Sequence, residues 1–155
     1  MRILIAVDES EFSNAAVTSV TGRAWPDSSE FLVVSVADPL MTDIGGWIPE
    51  SEKKRHQELI DTKLEQLKLG LPQHKIAGEL GEGIPSDEIV RIAKEWHADF
   101  IIVGSHGRRG FDHALLGSVA ESVAHKAPCS VEIIKMPHIV QSGISRSSSA
   151  TSLEE

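Results

Sequence analysis

Short apolar runs alternate along this chain with longer stretches in which apolar residues recur every three or four positions. Residues 2–7 carry Ile3, Leu4, Ile5 and Val7 almost without interruption. Such a run marks a strand buried on both faces of a parallel sheet. Asp8 and Ser10 follow with side-chain oxygens suited to a helix start. Phe12, Ala15, Ala16 and Val20 then predict a helix from about Phe12 to Trp25, closed by Pro26 and Asp27. Residues 31–37 (FLVVSVA) form a second buried-strand run, stopped by Asp38 and Pro39. Residues 40–49, with Gly45, Gly46 and Pro49, read as a loop. From Glu50 to Leu69 the chain is highly charged, with Ile60, Leu64 and Leu67 on one narrow helical stripe. Gly70 and Pro72 end that helix, and Ile76 and Leu80 support a weaker strand over 74–80.

Gly81, Gly83 and Pro85 read as a turn, with Pro85 at the first position of a helix carrying Ile89, Ile92, Ala93 and Trp96. Residues 99–103 (DFIIV) form a fourth strand, and a glycine-rich stretch runs from Gly104 to Gly117. Leu116, Val119, Ala120 and Val123 mark a fourth helix, ending near Ala127 and Pro128, before a fifth strand over 131–134 (VEII). Strict alternation of strand and helix predicts an α/β domain with a parallel sheet and right-handed crossovers. A length of 155 residues suits one domain. The expected division is one folded domain over 1–137 and a serine-rich flexible tail over 138–155, where periodicity is lost.

Charge and cysteine usage narrow the function classes. Fifteen Lys and Arg against 23 Asp and Glu give a net charge of -8. That balance disfavours general binding to nucleic acid or anionic membrane, which needs clustered cations. One cysteine excludes an intrachain disulfide. The opening MRILIAVDESEFS has too short an apolar run for a secretory signal, and no stretch approaches a membrane span, so the expected location is cytoplasmic.

Ligands of open parallel sheets bind beyond the C-terminal strand ends, where the strand order reverses. Two strand-to-helix turns carry suitable residues: Asp8 after the first strand, and GSHGRRGFDHALLGS (104–118) after the fourth. Gly104, Gly107, Gly110 and Gly117 concentrate there, and glycine permits positive φ and close ligand approach. Gly117 and Ser118 open the following helix, where free amides and the helix dipole favour an anion. Arg108 and Arg109 give residues 104–113 a charge of +1 within an acidic chain, and Arg108 joins the phosphate-binding candidates. The competing reading is a plain surface loop with solvated arginines. Neither the phosphate-loop pattern ending in Gly-Lys-Ser/Thr nor a dinucleotide pattern in the first turn is present. This disfavours NAD and motor-type ATP hydrolysis.

IAVDES, SVAD and GSHGRRGFDHALLGSVAESVAHKAPCSV together resemble the universal stress protein family across residues 1–136. In the ATP-binding branch, Gly, two residues, Gly, nine residues, Gly and Ser/Thr recur; here these are Gly104, Gly107, Gly117 and Ser118. The resemblance implies a Rossmann-like, five-stranded parallel sheet in the order 3-2-1-4-5 with four helices on both faces. It implies an ATP site, with magnesium bridging phosphates. Ala6, Val7 and Asp8 would line one wall, Val36 would meet the adenine edge and Val103 would flank the base. Gly104 and Gly107 would contact ribose and phosphates, and Gly117, Ser118 and Val119 would hold the phosphate chain through main-chain amides. Gly117→Val is accordingly expected to abolish binding while sparing the fold. The implied role is a stress-response sensor or regulator, homodimeric through the fifth strand. The alternatives are a slow ATPase or nucleotide hydrolase using the same loop, and a nucleotide-free interaction module.

Three residues depart from the family pattern: Glu9 stands where glycine is frequent, Ser130 where proline is, and Glu132 where an aliphatic residue is. A charge on an edge strand discourages pairing, so Glu132 opposes the dimer. Asp8 is either a helix cap or a ligand contact, and Trp47 either covers the nucleotide or packs locally. His106 and Ser105 do not form a Gly-x-Ser-x-Gly elbow, and the seven histidines show no metal-ligand spacing. Cys129 reads as a buried small apolar residue.

Overall fold

The computed structural model describes residues 1–42, 45–108 and 115–136. Among these, five strands and four α-helices alternate: β1 (Arg2–Ala6), α1 (Glu11–Thr21), β2 (Glu30–Ala37), α2 (Glu50–Gly70), β3 (Lys75–Glu82), α3 (Pro85–Glu95), β4 (Phe100–Gly104), α4 (Ser118–Lys126) and β5 (Ser130–Ile134). A 3₁₀ turn over Pro39–Met41 follows β2. The sheet order is β3-β2-β1-β4-β5 and every pairing is parallel. The architecture is the α/β Rossmann-like fold implied by the sequence.

Two apolar layers explain why the strand runs are nearly continuous. On one face Ile3, Ile5, Phe31 and Val33 pack with Ala16, Val17 and Val20 of α1 and Ile60 and Leu67 of α2. On the other, Leu4, Leu32, Val34 and Ile101 pack with Ile89, Ile92 and Ala93 of α3 and Ala120 and Val123 of α4. Successive strand side chains point to opposite faces, so both layers demand apolar residues.

Some boundaries differ from the sequence expectation. Helix α1 ends at Thr21, and the Gly22 amide closes it by donating to Thr18. Trp25 instead folds back, its indole donating to the Val20 carbonyl at 2.9 Å and its ring meeting Phe31 edge-on. β3 runs on through Gly81 and Glu82, which pair with Val36 and Ala37, so the turn begins only at Gly83. A β-carbon on Gly78 would collide with Ile60 Cγ2, which shows how closely α2 crosses this strand. Cys129 is only partly buried at the margin of the second core layer, and desolvation pushes its thiol pKa up. The expected tail lies outside the described residues.

Candidate functional site

The order reversal falls between β1 and β4, which are neighbours with Ala6 opposite Val103. Their C-terminal ends deliver the two turns singled out from the sequence to the same corner. Asp8 Oδ2 lies only 2.9 Å from the point where a β-carbon on Gly107 would stand. Any residue larger than glycine at 107 would meet that carboxylate. The Gly104–Gly107 segment and Asp8 are therefore in contact across the strand gap.

Asp8 supports the start of α1 through Ser10 rather than capping it directly. Its Oδ1 accepts the Ser10 amide at 2.9 Å and the Ser10 hydroxyl. Ser10 in turn is the N-cap of α1, its hydroxyl accepting the Ser13 amide at 3.2 Å. Asp8 thus braces the cap with one oxygen and turns the other toward Gly107. Ala6, Val7, Val36 and Val103 are all buried in the core.

The motif glycines serve close packing rather than unusual dihedrals. Among the described residues, positive φ occurs at Gly45, Gly46, Gly83 and the non-glycine His97, and at none of Gly104, Gly107 or Gly117. A β-carbon on Gly104 would stand 2.8 Å from Phe12 Cβ and 2.9 Å from its carbonyl carbon, so glycine there lets α1 cross the end of β4. A β-carbon on Gly117 would stand 3.1 Å from His106 Cα and 3.2 Å from the Ser105 carbonyl oxygen. Gly117→Val, expected to spare the fold, would therefore press on the backbone of Ser105 and His106. The Gly117 amide is also engaged, donating to the Ser105 carbonyl at 2.7 Å. Gly117 therefore pins α4 against the strand end. Among the described residues no side chain caps helix α4 at its Gly117 start. His106 packs its ring 5.0 Å from that of Phe12. Arg109, Gly110 and the rest of the loop to residue 114 lie outside the described residues.

Helix α2 brings in residues that the sequence reading passed over. Lys63 is buried, its ammonium donating to the side-chain carbonyls of Asn14 and, at 3.4 Å, Gln66. Burial pushes its pKa down, and the charge of Asp8 opposes that shift. His56 is buried against β2, with Nδ1 2.8 Å from Ser35 Oγ. Burial, then the charges of Arg55 and Arg108, hold its pKa below the ordinary range, while Glu52 and Glu9 oppose them. Arg55 spans to the first turn, donating to Glu9 Oε2 at 2.9 Å and to Glu52 at 2.7 Å. Arg108 reaches the same Glu9 oxygen at 3.4 Å. Only the helical stripe of Ile60, Leu64 and Leu67 was legible for α2; which charged residues border the stripe and meet the turns depends on the crossing of α2 over β2.

A cavity of about 310 Å³ opens beside this corner at the ends of β2 and β3, lined by Pro39, Gly46, Trp47, Ile48, Lys53, Glu82 and Gly83. Trp47 is one of its walls while remaining 57% exposed. Among the described residues, no three His, Cys, Asp or Glu side chains are placed together to hold a metal ion. None of the described helices is long and apolar enough to cross a membrane.

The universal stress protein family matches residues 1–135. The chain belongs to that family. A universal stress protein of Methanocaldococcus jannaschii is 34% identical over 144 residues, spanning 88% of this chain and 82% of the relative. The solved structure of a second protein of that organism, universal stress protein MJ0577, superposes with a TM-score of 0.73 at 31% identity, covering 88% of this chain and 96% of the other. A universal stress protein from Archaeoglobus fulgidus, solved in complex with dAMP, has a TM-score of 0.68 at 24% identity, covering 87% and 98%. The last likeness is one of fold.

Proposed function

We propose that this member of the family binds an adenine nucleotide, ATP in particular, and acts as a cytoplasmic sensor or regulator in the stress response. One observation carries the reading: the Asp8 turn and the Gly104–Gly107 turn meet at the reversal of strand order, with the uncapped N-terminus of α4 beside them. A carboxylate there accepts from ribose or amino donors, and outward amides at a helix start hold phosphate oxygens. Ser118 supplies a hydroxyl, Val119 an amide and Arg108 a cation, while Val36 and Val103 border the place of the base. The Archaeoglobus fulgidus protein of the same fold holds dAMP. A magnesium ion would be held chiefly through phosphate oxygens. The donor set at the corner therefore suits a nucleotide with a phosphate chain.

A homodimer through β5 completes the reading. β5 is an edge strand with β4 on one side only. Glu132, whose charge alone argues against pairing, has that charge matched within the chain. It lies on the α1 face of β5, where the Arg23 guanidinium holds it through two hydrogen bonds. Its charge is therefore neutralised on the sheet face and does not project along the free edge.

The test is direct. Purified protein, denatured and cleared, is expected to release adenine nucleotide detectable by mass spectrometry. Titration of nucleotide-free protein with ATP is expected to give heat and a thermal shift. Absence of both would overturn the binding reading. Conversion of bound ATP to ADP during incubation with magnesium would replace the sensor with a hydrolase.

A further inference from the structure

We propose that Glu9 is a resident substitute for a phosphate group, and that Arg55 of α2 and Arg108 are the cations a polyphosphate chain takes over from it. The inference rests on the reading that the Asp8–Gly107 corner accepts a phosphate-bearing nucleotide. Glu9 follows Asp8 directly, and Arg108 follows Gly107 directly. The two residues adjoining the touching pair thus form an ion pair of their own. Arg55 joins it from a third element, so one Glu9 oxygen is shared by two guanidinium groups.

Three features make this arrangement exchangeable rather than structural. The Glu9, Arg55 and Arg108 side chains are each about two-fifths exposed, at 41%, 37% and 40%. Ion pairs this open are weak and rearrange readily. The Arg108 contact is long at 3.4 Å, leaving room for a better acceptor. Arg55 Nε is buried and lacks an acceptor among the described residues. A single carboxylate oxygen does not fill the donor set that two guanidiniums present, whereas the several oxygens of a phosphate chain would. Glu9 and Glu52 together cancel the charge of Arg55 and Arg108, so the free protein shows the solvent a neutral cluster. A polyanion that displaces Glu9 meets both cations.

The consequence is selectivity by phosphate number. A single phosphate at the Ser118–Val119 amides need not reach both arginines, but a longer chain does. Glu9 therefore weakens nucleoside polyphosphates most, and its removal favours ATP over AMP. This chain carries the device because glutamate stands at position 9.

Calorimetric titration of wild type, E9Q, R55Q and the double variant with ATP, AMP and inorganic tripolyphosphate tests the proposal. Each variant is first checked for an unchanged far-UV spectrum and cooperative melting. E9Q is expected to tighten ATP about tenfold and AMP about threefold or less, because two charge-assisted contacts are freed. R55Q is expected to weaken ATP more than AMP, and E9Q is expected to lose most of its gain in the R55Q background. NMR titration of His56 gives an independent readout: polyphosphate binding beside Arg55 and Arg108 raises its pKa. An ATP-to-AMP ratio identical in wild type and E9Q overturns the proposal, as does a full E9Q gain without Arg55. If neither wild type nor E9Q binds ATP or AMP, the nucleotide reading fails. Tripolyphosphate then decides the clamp alone, with tighter binding by E9Q supporting it and equal binding overturning it.

Discussion

At the scale of single residues, glycine spacing and buried ionisable groups carry the most information. Gly104 and Gly117 look like ligand-facing glycines from their spacing, yet each accommodates neighbouring main chain or α1. Gly104→Ala forces its β-carbon onto Phe12, and overpacking of that kind costs about 1–3 kcal/mol. A lowered urea midpoint, with the slope unchanged, is the expected result. His56 governs part of the acid response. Its pKa is held below the ordinary histidine value of 6.5, so the folded state resists a proton that the unfolded chain accepts. The His56 contribution is whole above pH 6.5 and is lost as pH falls from there through the lowered folded value. His56→Gln is expected to flatten the stability profile below pH 6.5, measured by denaturant unfolding at a series of pH values. An unchanged profile would remove His56 from the acid response. None of this was legible from the sequence, where His56 is one histidine in a charged helix.

At the scale of elements, charged side chains far apart in sequence tie neighbouring elements together. Arg23, just beyond α1, holds Glu132 of β5 across 109 positions and lies 5.6 Å from the Trp25 ring. Its pKa is raised by the hydrogen bond to Glu132, against a smaller opposing effect of burial. A bidentate pair with about a third of each side chain exposed is worth up to roughly 1 kcal/mol. Glu132→Gln and Arg23→Gln are each expected to destabilise by about that much, and a double-mutant cycle should return a favourable coupling. A coupling of zero would mean that the pair holds nothing together. The same pair decides the reading of β5: a glutamate in an apolar strand suggests a protected edge until its partner is known. Helix caps were more legible. Ser10 was marked by its side-chain type, and Ser10→Ala is expected to cost about 1 kcal/mol, seen as a lower thermal midpoint.

For the whole molecule, all described elements fall between residues 2 and 134, and the described residues of both core layers lie in the same span. A chain ending at Met136 is therefore expected to unfold in one cooperative step within a few degrees of the full chain. A fall much larger than that would show that residues 137–155 contribute to the fold. The local pattern of the sequence was enough to specify this α/β domain, because periodicity and burial are imposed residue by residue. Continuous apolar runs need two covered faces, and helical stripes need one, so alternating runs leave little choice of architecture. The glycine-rich segment and Asp8 were likewise visible, since both depend on residue type at a strand end. What needed the folded chain was adjacency: which turn touches which, that the Gly117 amide is already engaged, and that Arg55 and Arg108 converge on Glu9. Those facts arise where β1 meets β4 and α2 crosses β2, among residues up to about a hundred positions apart. No local pattern encodes such a meeting, because it depends on the summed packing of both layers rather than on any one segment's preferences.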